Sequence, residues 1–396
     1  MTIIPEIESF KADLTAIRHD LHAHPEIGFE ETRTSAIVAE ALRSYGLDEV
    51  HTGIGGTGVV GILKGTGGRE GEGGRRIGLR ADMDALPMDE LTNLSYRSTR
   101  PGRFHGCGHD GHTTMLLGAA RYLAAHREFS GTVVFVFQPA EEGLGGARAM
   151  LADGLFERFP CDEIYGLHNM PDLDIGQVAV FPGKAMAGAS FFDIAIRARG
   201  SHAAMPHNSR DAVVIAMALA QNLQTIVSRN VDPLKPAVLS ITKIASGSAY
   251  NVIPEEASLS GTIRFFHDEV GDLVRTRMRE IAAGVALTFG CQIDVDIRDV
   301  FTVLENDEAA TEALREAASE IVGPEGVITE PRPTMGSEDF ADMLRTVPGS
   351  YCWVGHGGTM PLHNPGFVLD DEILPIGASL LARIAERRLA GQTAEI

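Results

Sequence analysis

Residues Thr132 to Phe137 read TVVFVF and run straight into QPAEEG. Six β-branched or aromatic residues without polar alternation suit a strand that is covered on both faces. Such a strand belongs inside a layered α/β domain. It ends at two adjacent carboxylates, Glu141 and Glu142. The carboxyl ends of central strands are where α/β proteins gather their sites. Neighbours in an ideal strand face opposite ways, but past Pro139 the chain is turning, so both carboxylates can reach one site. One can then bind a metal ion while the other serves as general base. A solvated acidic loop is the plain alternative, and it fits less well directly after six such residues.

Periodicity fills in the elements around this strand. Helices are expected over Ile7 to His24, Thr32 to Tyr45 and Thr113 to Ala125, and strands over Val59 to Lys64, Ile77 to Ala81 and Glu163 to Leu167. The stretch GTGGREGEGGRR reads as an exposed hairpin loop. After Pro182 the order becomes strand (Ser190 to Ala198), helix (Asp211 to Ser228), two strands (Ala237 to Ile244 and Ser258 to Phe265), helix (Glu269 to Phe289) and strand (Cys291 to Ile297). That is the order of a ferredoxin-like sandwich. Beyond Val300 the α/β pattern resumes, with helices Glu308 to Val322, Glu338 to Leu344 and Pro375 to Leu389 and a strand Tyr351 to Val354. The expected fold class is therefore α/β. A layered catalytic domain (residues 1–184 and 300–396), with a mixed sheet and helices on both faces, is interrupted by an inserted α+β domain (residues 185–299).

Composition restricts the partners. The 396 residues carry a formal net charge of -20, which argues against nucleic acid or an anionic membrane, since both need a basic face. Four scattered cysteines are too few for a disulfide framework. The N-terminus MTIIPEIESFKADL lacks a basic leader segment, and no uninterrupted apolar run approaches the ~18 residues of a membrane span. A cytoplasmic soluble protein is expected.

The densest cluster of candidate ligands is FHGCGHDGHTT, residues 104–114. Glycines at 106, 108 and 111 let neighbouring side chains converge. An adjoining helix N-terminus and nearby cations would both favour a Cys107 thiolate. Thiolate and imidazole ligate zinc and similar ions. Taken alone, the segment leaves three readings open: a metal site at Cys107 and His109, a cysteine nucleophile, or a polar turn. Further donors stand at other strand ends: His168 in GLHNMP, His356 and His363 in HGGTMPLHNPG, and Asp82 and Asp84 in RADMD. The period of two puts the two aspartates on one face. Either could bind metal or hold a ligand histidine, and Arg80 could instead pair with one of them. His19, His22 and His24 lie in and just after a helix and read as structural. Ser337 reads as a helix N-cap.

RADMDALP, GCGHDGH, QPAEEG, GLHNMP, RGSHAAMPH, YNVIP, GTIR, GSEDF and PLHNPGF occur in this order between Ile17 and Ala382. Their order and spacing resemble the metal-dependent amidohydrolases. That family includes hippurate hydrolase, N-acyl-amino-acid amidohydrolases and plant auxin-conjugate hydrolases, and is related to aminoacylase and dimeric metallocarboxypeptidases. The resemblance implies hydrolysis of N-acyl amino acids, with a dipeptidase or carboxypeptidase on the same site as the alternative. It implies two divalent metal ions per subunit, zinc or manganese, with cobalt and nickel open. Cys107, His109, Glu142, His168 and His363 would be the ligands. Glu141 would be the general base, and Asp84 would orient the metal-site chemistry. His202 would reach across a homodimer or higher oligomer to stabilise the oxyanion. Asn251 and Arg264 would bind the substrate carboxylate, a pairing that suits a guanidinium. The usual histidine two residues before Asp84 is absent; Asp82 stands there instead.

Overall fold

A computed structural model describes residues 1–67 and 74–390. The centre of the expected glycine-rich hairpin loop lies outside the described residues. The chain divides into two compact units, one made of residues 1–185, 305–332 and 339–396 and the other of residues 186–304 and 333–338.

The first unit is built on a mixed sheet of eight strands. Five run in sequence as β1 (Glu49–Ile54), β2 (Gly58–Lys64), β3 (Arg76–Asp82), β4 (Thr132–Gln138) and β5 (Glu163–Met170), followed by β6 (Val178–Val180). Their spatial order is β1, β2, β4, β3, β5, then Gly349–Gly355, β6 and Val327–Ile328. In β4 every residue from Val133 to Gln138 is buried, as its unbroken apolar run requires. Strands β4, β3, β5 and Gly349–Gly355 are parallel neighbours. Their carboxyl ends therefore open on one side. Helices α1 (Lys11–Ala23), α2 (Thr32–Ser44) and α3 (His109–Ala125) complete the layers together with Glu308–Val322 and Leu374–Leu389.

Three local expectations shift. The first helical stretch is two pieces, Pro5–Ser9 and Lys11–Ala23, because Pro5 opens a short helix of its own and the chain re-forms after Phe10. Helix α3 begins at His109 rather than Thr113, so the HDGH segment is helical. Strand β5 continues through His168 to Met170, held by in-register pairing of His168 with Trp353. Strand β1 carries no apolar alternation and emerges only through antiparallel pairing with β2.

The second unit contains β7 (Gly188–Arg197), β8 (Ser201–His202), α4 (Ala212–Arg229), β9 (Ala237–Ser246), β10 (Val252–Ile253), β11 (Glu256–Phe265), α5 (Asp268–Phe289) and β12 (Gln292–Phe301). Its sheet has the order β9, β11, β7, β12, all antiparallel. This is the ferredoxin-like arrangement. Phe192, Ile194, Ile196 and Ile263 face Ile215, Leu219, Leu223 and Met278 of the two helices. The alternate residues carry ion pairs such as Arg298 with Asp193 and Arg197 with Asp294. That alternation is the signature of a sheet buried on one face. Helix α4 is long and apolar enough to cross a membrane by length and composition, with mean hydropathy 1.2 over 18 residues. Its face of Ala212, Ile215, Ala216, Leu219, Leu223 and Ile226 is nevertheless buried within this unit.

Candidate metal centre

The donors of the first unit converge at the carboxyl ends of β3, β4 and β5. Gly108, with φ of +93°, turns the chain into α3. A Cβ at Gly108 would meet Asn169 Oδ1 at 2.2 Å. Of the three glycines in GCGHDGH it alone takes a left-handed backbone. Cys107 lies just before the turn and His109 just after it, so both side chains point at the strand ends. Cys107 Sγ is 3.3 Å from His168 Nε2. His109 Nε2 lies 4.0 Å from Glu141 Oε2 and 3.9 Å from Glu142 Oε1. His363 Nε2 is 3.2 Å from Glu142 Oε1. The loop carrying His363 is tied to the GCGHDGH loop by its own N–H, which donates to the Gly106 carbonyl at 2.9 Å.

These residues form two overlapping donor groups, Cys107 with His109 and His168, and Cys107 with Glu142 and His363. Cys107 is common to both. A third group joins His109 to Glu141 and Glu142. The donor chemistry fits a pair of divalent cations. Among the described residues His109 Nε2 is buried with no hydrogen-bond partner, and buried Glu142 Oε1 has only the His363 ring beside it, a costly state that a cation would relieve. His168 Nδ1 donates to the carbonyl of Asn169 at 2.6 Å, which leaves Nε2 as a lone-pair donor beside Cys107. Burial pushes His168 well below the usual histidine range, so the ring is neutral, as a ligand must be.

The thiol behaves differently from the sequence expectation. Burial, with Glu142 and Glu141 close by, pushes Cys107 well above the usual thiol range. The helix N-terminus does not offset them, and a thiolate here requires a cation. A cysteine nucleophile would have to ionise in the same place, so that reading loses its footing.

Asp84 and Asp82 separate into two roles. Asp84 Oδ1 faces His109 Nδ1 at 3.1 Å and Oδ2 accepts the N–H of Glu142 at 3.0 Å. Burial opposes a charge on His109, yet Asp82 and Asp84 outweigh it and raise the metal-free imidazole to about 10; a cation at Nε2 would have to displace that proton, since a ligand imidazole is neutral. Asp82 instead bonds Arg80 Nη1 at 2.8 Å and His112 Nδ1 at 2.7 Å. Arg80 thus takes Asp82 and leaves Asp84 to the site. His112 is further tied to Asn169 Oδ1 at 2.6 Å.

Several residues stand apart from this cluster. Asp110 is held by Arg18 Nε at 3.1 Å and His22 Nδ1 at 2.8 Å, which gives the N-terminal histidines their structural part. Among the described residues, His105 and His356 are buried with both ring nitrogens unpartnered and lie outside the donor groups. His202, Asn251 and Arg264 belong to the second unit. His202 and Asn251 are exposed neighbours: β8 pairs with β10 through His202 and Val252, and Ala203 N–H donates to the Asn251 carbonyl. Arg264 lies on β11, half-buried, with Nη1 donating to Ser337 Oγ at 2.7 Å. Ser337 caps no helix, because the helix there starts at Phe340; its hydroxyl donates to the Ala187 carbonyl.

Comparison with known proteins decides the class. The sequence profile of peptidase family M20/M25/M40 matches residues 78–387. The chain belongs to this family. It is 40% identical over 389 residues to a hippurate hydrolase of Campylobacter jejuni, covering 98% of this chain and 100% of that one. It is 38% identical to an N-acetylcysteine deacetylase of Bacillus subtilis, covering 96% and 97%. A crystal structure of a Bacillus subtilis dinuclear metal-binding M20 peptidase superposes with a TM-score of 0.82 at 35% identity, covering 96% and 99% of the two chains. This M20 chain is a hydrolase, and its mixed-sheet fold is that of the family.

Sequence reasoning passed over Glu31 and Asn169. Glu31 is buried and accepts the N–H of Ala140, directly before Glu141. Its signal in the sequence, an acid before a helix, reads as an ordinary N-cap.

Proposed function

We propose that this M20 hydrolase cleaves the amide bond of N-acyl amino acids, releasing a carboxylic acid and a free amino acid. The observation that carries this reading is the meeting of two donor groups at the Cys107 sulfur with Glu141 alongside. Cys107, His109, Glu142, His168 and His363 would hold two divalent ions, and a thiolate among the donors favours zinc, with manganese, cobalt and nickel as alternatives. Bound there, the ions supply Lewis acidity to the amide carbonyl and lower the pKa of water. Glu141, buried at the end of β4, takes the proton of the attacking water and returns it to the leaving nitrogen. Asp84 fixes the His109 ring. His202 donates to the oxyanion, and Asn251 and Arg264 bind the substrate carboxylate. His202 and Asn251 lie exposed beside each other, as residues that complete a site on meeting substrate would. The second unit serves as lid and dimerisation domain of a homodimer or higher oligomer. Four free cysteines suit a reducing compartment, the cytoplasm.

The deciding experiment is metal analysis of the purified protein combined with hydrolysis of N-acetyl, N-benzoyl and indole-acyl amino acids and of dipeptides. Turnover of acyl amino acids with about two ions per chain is expected. Exclusive turnover of dipeptides would replace the reading with a dipeptidase on the same centre. A Glu141→Gln variant as fast as the wild type would remove the base assignment.

A further inference from the structure

Glu31 occupies the position before α2 where an acid usually caps its own helix, yet its side chain makes no cap bond. It is fully buried and both its side-chain partners are uncharged. One oxygen accepts the N–H of Ala140 at 2.8 Å, 109 residues away, and the other accepts the hydroxyl of Thr57. Ala140 has φ of +54°, the left-handed region that a residue with a Cβ enters at a cost. It directly precedes Glu141. The packing around it is close: a Cβ on Gly28 would lie 2.8 Å from the Ala140 Cα. The Ala140 carbonyl accepts the N–H of Gly146 at 3.0 Å.

In an extended strand end, Glu141 and Glu142 would point to opposite sides. The left-handed residue at 140 breaks the line of the strand directly before Glu141, and Glu141 Oε2 and Glu142 Oε1 lie 4.0 and 3.9 Å from His109 Nε2. We infer that Glu31 is a positioning residue, which fixes Ala140 in its left-handed conformation and thereby aims the Glu141 carboxylate. The inference rests on Glu141 being the general base. Glu31 forgoes capping its own helix and takes up this distant N–H, and neither partner needs its negative charge. A neutral side chain with the same acceptor should therefore suffice.

The test compares Glu31→Ala, Glu31→Gln and the double variant Glu31→Ala/Ala140→Gly, on whichever of N-benzoylglycine and N-acetylmethionine the wild type cleaves faster. Bound metal and melting temperature are measured alongside. Glu31→Ala is expected to lower kcat by about 10–100-fold, with KM within about threefold and metal content unchanged. Glu31→Gln should stay within about threefold of wild type, because its amide oxygen still takes the Ala140 N–H and its NH2 can donate to Thr57. Glycine adopts positive φ without penalty, so the double variant should recover most of the loss. The inference is overturned if Glu31→Ala keeps kcat within about twofold, if Glu31→Gln falls as far as Glu31→Ala, or if the loss follows loss of metal. Should Glu31→Ala not fold, a folded and active double variant supports the inference and an inactive or unfolded one overturns it. An inactive Glu141→Gln beside a fully active Glu31→Ala sinks this inference alone. An active Glu141→Gln sinks the base assignment and this inference together.

Discussion

Asp84 and His109 face each other at 3.1 Å, carboxylate to Nδ1, and the second Asp84 oxygen accepts the N–H of Glu142 at 3.0 Å. One buried side chain thus sets the tautomer of one proposed ligand and the backbone of another. A histidine whose Nδ1–H is engaged presents Nε2 to a metal ion and gains basicity from the carboxylate. Asp84→Asn keeps the volume and loses the charge. Metal affinity, measured by titration against a competing chelator, should fall about 10–100-fold. An Asp84→Asn protein that binds metal as tightly as wild type would show that Asp84 does not serve the centre.

The Cys107 thiol gives a second prediction. Burial and the carboxylates of Glu142 and Glu141 hold it well above the usual thiol range, so the metal-free thiol stays protonated at neutral pH. Chelation should abolish hydrolysis, and zinc or manganese should restore it. At pH 8 the metal-free protein should alkylate at Cys107 more slowly than a free thiol, since the thiolate is the reacting form. Rapid alkylation of metal-free protein, with activity that survives chelation and dies on alkylation, would restore the cysteine-hydrolase reading.

The sequence already carried the layered fold, because apolar runs such as TVVFVF can be satisfied only by cover on both faces. It also carried the ferredoxin-like order of the second unit. The site was legible as a list of strand-end donors but not as a geometry. The start of α3 was hidden because HDGH has weak helix propensity. What fixes that turn is distant, with Asp110 tied to Arg18, 92 residues away, and to His22, 88 residues away. The parting of Asp82 from Asp84 was hidden for the same reason. Alternation puts both on one face with Arg80, and only the folded chain brings His112 to Asp82 and so decides which aspartate Arg80 takes. Glu31 was invisible because its partner is a backbone N–H, which no side-chain pattern announces.

The Arg18–Asp110 pair leads to a stability prediction. Both side chains are buried, and Arg18 also bonds the Leu369 carbonyl at 3.0 Å. Removing one partner of a buried pair leaves an uncompensated charge and typically costs about 3–5 kcal/mol. Arg18→Ala should lower urea-unfolding stability by that amount. Arg18→Met with Asp110→Asn should recover part of it, because the buried Asp110 charge is then gone while Asp371, the other carboxylate on Arg18, is partly exposed. Equal losses in the single and double variants would assign the effect to packing instead of charge.

Glu31 gives the pH dependence. Burial raises its carboxyl to about 7 from an ordinary 4.5, and Asp84 adds to the rise; the bonds from Thr57 and Ala140 only partly oppose it. Between these values the folded state holds a proton that the unfolded chain has released. Stability from this group is therefore full below about 4.5 and is lost as pH climbs towards 7. The loss amounts to roughly 3 kcal/mol. Glu31→Gln cannot titrate, so its stability relative to wild type should increase across that window, measured as the difference in unfolding free energy at pH 5 and pH 7.5. A difference that does not change with pH would mean that Glu31 titrates alike in the folded and unfolded chain.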